Sequence, residues 1–317
     1  MAADRIQSIL GNVVGSTGHR YDAKDSAGRT MDTAKIIANP SGGYLSVYHT
    51  GDMVNLAAST DLLTWAFLRT LDPQATQPTI AALPTGGFLT GVEFNDQAGS
   101  GGRLRLRHYA DFPALCAGEF DREETIARTL SPCNEGTPNI YSVTPTPDID
   151  HSVIDLGFHY HRNCRVDRQA RGRLTDFSAW TAVFAADLDR GLVAAAAARG
   201  RSVGGNIGDR DSMTLDAVRY NLHEVQYRRK DFGSWRIYLY DWGTGSVEYL
   251  PVVTHGGSTA FANPTATLVT GPSGTPAVVV TLFVPTEGAA PGEAGELTFY
   301  RELRAAPAGP PCPPPGS

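Results

Sequence analysis

The chain reads as an all-β protein built as a five-bladed propeller. Three observations predict this: short runs that alternate apolar and polar residues, a unit that recurs along the chain, and a polar residue opening each copy. With 317 residues, 41% of them hydrophobic, there is enough apolar material for one large β domain or two ordinary ones. The 34 glycines and 21 prolines suit many short strands joined by tight turns.

The first copy is Asp32-Thr33-Ala34-Lys35-Ile36, a turn at Asn39 to Gly43, and the strand Tyr44 to His49. The second is Gln77-Pro78-Thr79-Ile80, a turn at Leu83 to Gly87, and the strand Phe88 to Phe94. A third begins at Glu135-Gly136-Thr137-Pro138-Asn139-Ile140 and continues through Ile154 to Tyr160. A fourth fits Leu215 to Val225 and Trp235 to Tyr240; the last begins Asn263-Pro264-Thr265-Ala266 and ends in Val278 to Val284. Outer strands follow, marked by an Asp and then a Trp: Asp61 and Trp65, Asp176 and Trp180. A lone four-stranded sheet cannot bury both its faces, whereas radial packing of copies buries them and ring closure protects the edges. A β-sandwich is the alternative, but sandwiches do not repeat a polar residue at the start of every unit. One helix is expected, around Leu192 to Arg199. Residues 1–306 form the propeller domain, and the Pro/Gly-rich stretch 307–317, with Cys312, is expected to be disordered.

The net charge of −6 argues weakly against nucleic acid as a partner, and no Lys/Arg run is long enough to reverse this. No run of about 18 apolar residues appears, so no membrane span is expected. The opening Met1-Ala2-Ala3-Asp4-Arg5 lacks the apolar core of a signal peptide, so either the protein stays inside the cell or a leader is already gone. The four cysteines have no zinc-type spacing; Cys133 and Cys164 flank one hairpin and either pair or stay as buried thiols.

In a propeller the innermost strand of each blade begins near the axis, so the residues opening the copies converge on one pocket. Here they are Asp32, Gln77, Glu135, the stretch Asn206 to Asp211, and Asn263. Inverting glycoside hydrolysis needs an acid and a base carboxyl roughly 6.5–9.5 Å apart across the sugar ring. Asp32 and Glu135, two blades apart, could meet that need; the plainer reading is that both cap turns or pair with arginine.

The stretch Ser59 to Trp65, the opening Asp32 and the motif Glu135-Gly136-Thr137-Pro138 resemble glycoside hydrolase family 43 and its five-bladed relatives. The resemblance implies Asp32 as general base, Glu135 as general acid, and a furanoside or related sugar as substrate. The family opens blade two with Asp-Pro, whose charge tunes the acid; here the residues are Gln77-Pro78, and an amide carries no such charge. Glu93 or Asp155 then supplies it, or the site does not hydrolyse glycosides. The family also often has a His before blade five near an axial calcium, which implies a metal-linked role for His255 beside a structural Ca2+; a lone His is more often a satisfied core residue. No other cofactor is expected.

The segments Gly15 to Asp22 and Asp32 to Lys35 resemble a second group, propeller cyclases and hetero-Diels–Alderases of the core trichothecene cluster type. That resemblance implies a pocket orienting a reactive polyene or quinone methide. A third reading is a binding propeller without chemistry. In any of these the contact shell for a small-molecule or carbohydrate substrate is expected from His19, Gln77, Glu93, Asp155, His159, Arg210, Glu224 and Asn263. His159 and His161 share one strand face and serve as metal or substrate ligands or as plain hydrogen-bonding residues. Gly204 to Asp211 lacks a following P-loop Lys, so it brings Asp209, Arg210 and Asp211 to the pocket rim or ties them in a structural network. Asp167 to Arg171 has the same two readings.

Overall fold

The structure, a computed structural model, describes residues 2–84, 86–95, 101–144 and 148–303. The expected tail at 307–317, with Cys312, lies outside the described residues. Strand β1 (Gly18–Arg20) comes first and rejoins the chain at its far end. Blade one is β2 (Asp32–Ala38), β3 (Tyr44–Thr50), β4 (Met53–Ser59) and β5 (Ala66–Asp72). Blade two is β6 (Ala75–Ala82), β7 (Phe88–Asn95), β8 (Gly102–Tyr109) and β9 (Arg122–Thr125). Blade three is β10 (Glu135–Thr144), β11 (Val153–Arg162), β12 (Val166–Thr175) and β13 (Ala179–Phe184). Blade four is β14 (Ile207–Leu215), β15 (Val218–Gln226), β16 (Trp235–Asp241) and β17 (Val247–Tyr249). Blade five is β18 (Ala262–Thr270), β19 (Pro276–Val284) and β20 (Gly295–Glu302), completed by β1 on the outer edge of β20. That last pairing, Gly18 opposite Tyr300 to Arg20 opposite Thr298, closes the ring between the two ends of the described chain. The first strands β2, β6, β10, β14 and β18 pack against one another around the hub.

The apolar alternation fills the seams between blades. Ile36, Tyr48 and Trp65 of blade one meet Val269, Ala277 and Val279 of blade five. Leu45, Val47 and Leu56 meet Ile80 and Phe88 of blade two. Leu104 and Leu106 meet Ile154, Leu156 and Phe158 of blade three. The Asp-to-Trp signature belongs to the outer hairpins. Asp61 Oδ1 accepts the backbone N–H groups of Leu63 and Thr64 between β4 and β5, and Trp65 beyond them is buried. Asp176 and Phe177 make the β12–β13 turn with φ of 53° and 49°, and Trp180 packs on Phe158.

The expected helix is present as α3 in chain order. Two others precede it: α1 (Ala2–Gly11) and α2 (Phe112–Ala117), followed by α3 (Ala186–Ala198). Sequence reading gave the first segment no structure. Ile6, Ile9, Leu10 and Val13 recur at helical spacing and bury one stripe against Leu222 and Ile237 of blade four and Val280 and Leu282 of blade five. Among the described residues no helix is long and apolar enough to cross a membrane.

Cys133 and Cys164 form a disulfide that ties the entry of β10 to the β11–β12 turn, 31 residues apart in sequence. A crosslink of that span restricts the unfolded chain and contributes about 2–4 kcal/mol. Cys133→Ser is expected to lower the urea midpoint accordingly; a variant with the wild-type midpoint would show that the bridge adds nothing. Cys116 is free.

Candidate functional site

Each first strand opens with the same irregularity. One extra residue is inserted opposite the second strand: between Asp32 and Lys35, Thr76 and Thr79, Gly136 and Asn139, Asp209 and Asp211, and Ala262 and Thr265. Such bulges re-aim a side chain and bend the strand. Thr33, Gln77, Thr137 and Asn263 adopt left-handed backbone there, with φ of 55°, 52°, 52° and 49°. Proline follows three of them, as Pro78, Pro138 and Pro264, at a position where a ladder N–H is already lost.

The bulged residues meet at one guanidinium. Arg210 of β14 donates from Nη1 to Thr137 Oγ1 at 3.2 Å. Its Nη2 faces Thr33 Oγ1 at 3.4 Å, Asn263 Oδ1 at 2.5 Å and Gln77 Oε1. Its Nε lies 3.6 Å from Glu224 Oε1 on β15 of its own blade. One side chain, 6% exposed, thus touches all five blades. Beneath it Lys35 Nζ pairs with Asp211 Oδ2 at 2.6 Å, closing the axis further.

Above Arg210 opens a cavity of about 370 Å3. Asp32, Glu93, Asp167 and Glu224 bring four carboxylates to it, and Gln77, Asn134, His159, Asn206 and Asn263 bring amides and an imidazole. Phe232, Trp235 and Phe283 form an apolar side, with Phe232 54% exposed. Asp32 Oδ1 accepts from Asn263 Nδ2 at 2.7 Å and from Thr33 Oγ1 at 3.1 Å, and Oδ2 lies 3.6 Å from His49 Nε2. Glu224 Oε2 accepts the Asn263 backbone N–H at 2.7 Å. Asn263 therefore links the two carboxylates while its own carbonyl holds Arg210. Glu93 reaches the cavity by lying over Gly136, where a Cβ would stand 1.9 Å from its Oε2; any larger residue there would expel it.

Of the residues expected in the pocket, Asp32, Gln77, Glu93, His159, Arg210, Glu224 and Asn263 line it. Four others do not. Glu135 is 1% exposed and turned away: its Oε1 accepts the backbone N–H groups of Thr129, Leu130 and Ser131 at 2.8, 2.5 and 2.9 Å. It caps the loop leading into β10, which is the plainer of its two sequence readings. Asp155 sits on the other end of β11, where Ser142 and Arg173 bind it; the Arg173 hydrogen bond holds its carboxyl below the ordinary range. His19 lies on the outer strand β1, its ring stacked on His255 at 4.4 Å. Burial and the neighbouring His255 lower its pKa.

His255 itself bonds Tyr21, Nδ1 to the hydroxyl at 3.1 Å, at the edge of blade five rather than on the axis. Nearby Glu293 resists its burial because Ser258, Thr254, Gly256 and Tyr21 donate to it, and it is held down to about 2. The residues present do not fit an axial calcium. The hub is filled by the Arg210 cation, and among the described residues no group of three His, Cys, Asp or Glu side chains gathers to hold a metal.

Asn134, Phe232, Trp235 and Phe283 are among the pocket residues that the sequence did not point to. Asn134 directly precedes β10, and Phe283 stands opposite Ala262 in the register of the last bulge. Behind Asp32 lies a further unforeseen group, Glu296 on β20, 0% exposed, whose Oε1 accepts the Ala34 N–H at 3.3 Å and whose Oε2 has no hydrogen-bond partner among the described residues. Burial and then the Asp32 charge push its pKa well above the usual value. A raised acid stabilises the fold fully below its unfolded value, and that contribution is lost as pH climbs through the folded one. Glu296→Gln is therefore expected to gain stability over the wild type between pH 5 and pH 8, read as diverging urea midpoints; parallel midpoints would contradict it.

No protein-family model matches the chain, and no curated protein sequence does. Solved structures do. An exo-1,5-α-L-arabinanase from a bovine ruminal metagenomic library superposes with a TM-score of 0.56 at 12% identity, over 92% of this chain and 97% of that one. A thermostable family-43 glycoside hydrolase gives 0.57 at 10%, over 94% and 99%. The α-L-arabinofuranosidase from Lactobacillus brevis gives 0.55 at 8%, over 90% and 96%. The chain thus shares the five-bladed propeller fold of these glycoside hydrolases.

Proposed function

We propose that the axial cavity takes in a hydroxyl-rich sugar, a furanoside or related glycoside, and hydrolyses it with Asp32 as the base that activates water. The observation that carries the reading is the lining: four carboxylates and four amides around one small cavity with an aromatic side. Such a surface matches hydroxyl donors and acceptors together with the apolar face of a sugar ring. The arabinanases and arabinofuranosidase that share the fold support the same substrate class. A cyclase of polyenes wants a mainly apolar pocket, and this lining speaks against it.

One observation favours a second reading, a binding propeller without chemistry. The acid implied at Glu135 is buried outside the cavity lining with its Oε1 taken by three backbone N–H groups, and Gln77 replaces the tuning carboxylate. The departing oxygen would then need its proton from Glu93 or Glu224, the carboxyls remaining beside Asp32 and Asp167. A panel of 4-nitrophenyl pentofuranosides and pentopyranosides separates the readings. Release of nitrophenol that Asp32→Asn abolishes supports hydrolysis, and Glu93→Gln against Glu224→Gln then names the donor. Saturable binding of the same glycosides without release supports the binding propeller.

A further inference from the structure

A second cavity, of about 590 Å3, opens between α1, the loop that follows it and the end of β20. It shares no lining residue with the axial cavity. Its wall carries Arg5 and Ser8 from α1, Ser16 and Thr17 from the loop, and Arg301 from β20. Arg301 is half-buried, and it makes no ion pair among the described residues. Burial alone acts on its pKa, downward, with no carboxylate opposing it. Its guanidinium has five N–H donors. One goes to Ser8 Oγ at 3.2 Å and one to the Asn12 carbonyl at 3.1 Å. Nε is shielded from water and has no hydrogen-bond partner among the described residues. Gly15 makes this placement possible, because a Cβ there would stand 2.7 Å from Arg301 Nη2.

The hydroxyls ask for the same thing. Ser8 Oγ accepts from Arg301, and Thr17 Oγ1 accepts the Glu302 N–H at 2.9 Å, so each keeps its own O–H to give. Ser16 Oγ is shielded from water and has no partner among the described residues. The two carboxylates nearby are engaged. Glu302 Oε1 accepts the Ser273 N–H at the β18–β19 turn, 3.1 Å away. Asp216 holds Arg5 at 2.5 Å in an exposed pair, which water screens and a stronger anion displaces at little cost. Shielded donors without acceptors are costly, and a partly buried cation without a counter-ion more so. An anion in the cavity satisfies both.

We infer that this cavity is a binding site for a phosphate group, free or carried as a monoester on a small molecule. Such a group brings nearly two negative charges and three strong acceptor oxygens around one centre. Two guanidiniums and three hydroxyls, arriving from helix, loop and strand, match that arrangement. A carboxylate brings one charge and two oxygens in a plane. The loop bearing Ser16 and Thr17 leads straight into β1, whose pairing with β20 closes the ring. A phosphate bound here therefore ties α1 and both partners of the closing strand pair together. The site stands independently of the sugar reading, since Asp32 and its cavity take no part in it.

The test is calorimetric titration of the full chain at about pH 7.5, where phosphate is mainly dianionic. Ionic strength is held fixed, because loose attraction to exposed arginines fades with salt. The probes are inorganic phosphate, glycerol 3-phosphate and, as the carboxylate of similar size, glycerate. Phosphate is expected to bind saturably and about tenfold tighter than glycerate, the step one charge-assisted hydrogen bond supplies. Tighter binding of glycerol 3-phosphate than of phosphate names a phosphorylated small molecule as the ligand; equal binding names the free ion. Arg301→Gln should weaken phosphate by about tenfold or more. Should that variant fail to fold, Arg5→Gln decides: its side chain is exposed, and its loss should weaken phosphate about threefold. No saturable phosphate binding, glycerate binding as tightly as phosphate, or wild-type phosphate affinity in the deciding arginine variant would overturn the site.

Discussion

Replacing Arg210 with methionine is expected to cost about 3–5 kcal/mol of stability, the range for removing one member of a buried charged network. Methionine fills the volume but donates nothing. Gln77 Oε1, Asn263 Oδ1 and Thr137 Oγ1 then lose their shared donor, and Glu224 loses its nearest cation. Each stranded polar group costs about 1–3 kcal/mol when it cannot reach water. The loss is cooperative because all five blades meet there. Arg210→Lys should recover little, since an ammonium presents its donors from one point and cannot span the fork of contacts the guanidinium makes. The check is urea unfolding of both variants; a methionine variant with the wild-type midpoint would mean that the hub contacts add nothing.

Asp32→Asn is expected to reduce glycoside hydrolysis by about 10²–10⁴-fold, the usual contribution of a general base, while ligand affinity stays within a few fold. The substitution keeps the Oδ1 acceptor that Asn263 Nδ2 uses, so the cavity geometry survives. It removes the charge and the lone pair at Oδ2, which lies 3.6 Å from His49 Nε2. Rate and affinity therefore separate, which a merely structural Asp32 would not produce. Equal loss of both would assign Asp32 to packing.

The architecture was legible because a propeller repeats its instructions. Alternating strands, glycine turns and the Asp-to-Trp hairpin recur, and each recurrence became a blade. The amphipathic segment Ala2–Gly11 escaped because it occurs once and its partners, blades four and five, lie far along the chain. The site was legible to the extent that the copies were correctly aligned. Gln77-Pro78, Thr137-Pro138 and Asn263-Pro264 mark the same bulge, so Thr137 is the counterpart of Gln77, and Glu135 falls two residues too early to reach the hub. The motif around Glu135 drew attention to the carboxylate, whereas the proline fixes the register. His19 and His255 find each other through loop and edge-strand geometry that no periodicity encodes. Arg210 was named as a contact residue, but its junction of five blades depends on distances that sequence spacing does not contain.

Side-chain amide NMR offers the most direct trial of the cavity as the ligand site. Asn134 and Asn263 carry their NH2 groups in its wall, while the indole of Trp180 sits on the outer strand β13. Titrating a methyl pentofuranoside should shift both amide signals in step with saturation and leave the Trp180 signal unmoved. Saturable shifts at Trp180 with silent Asn134 and Asn263 would put the ligand elsewhere on the propeller and contradict the assignment.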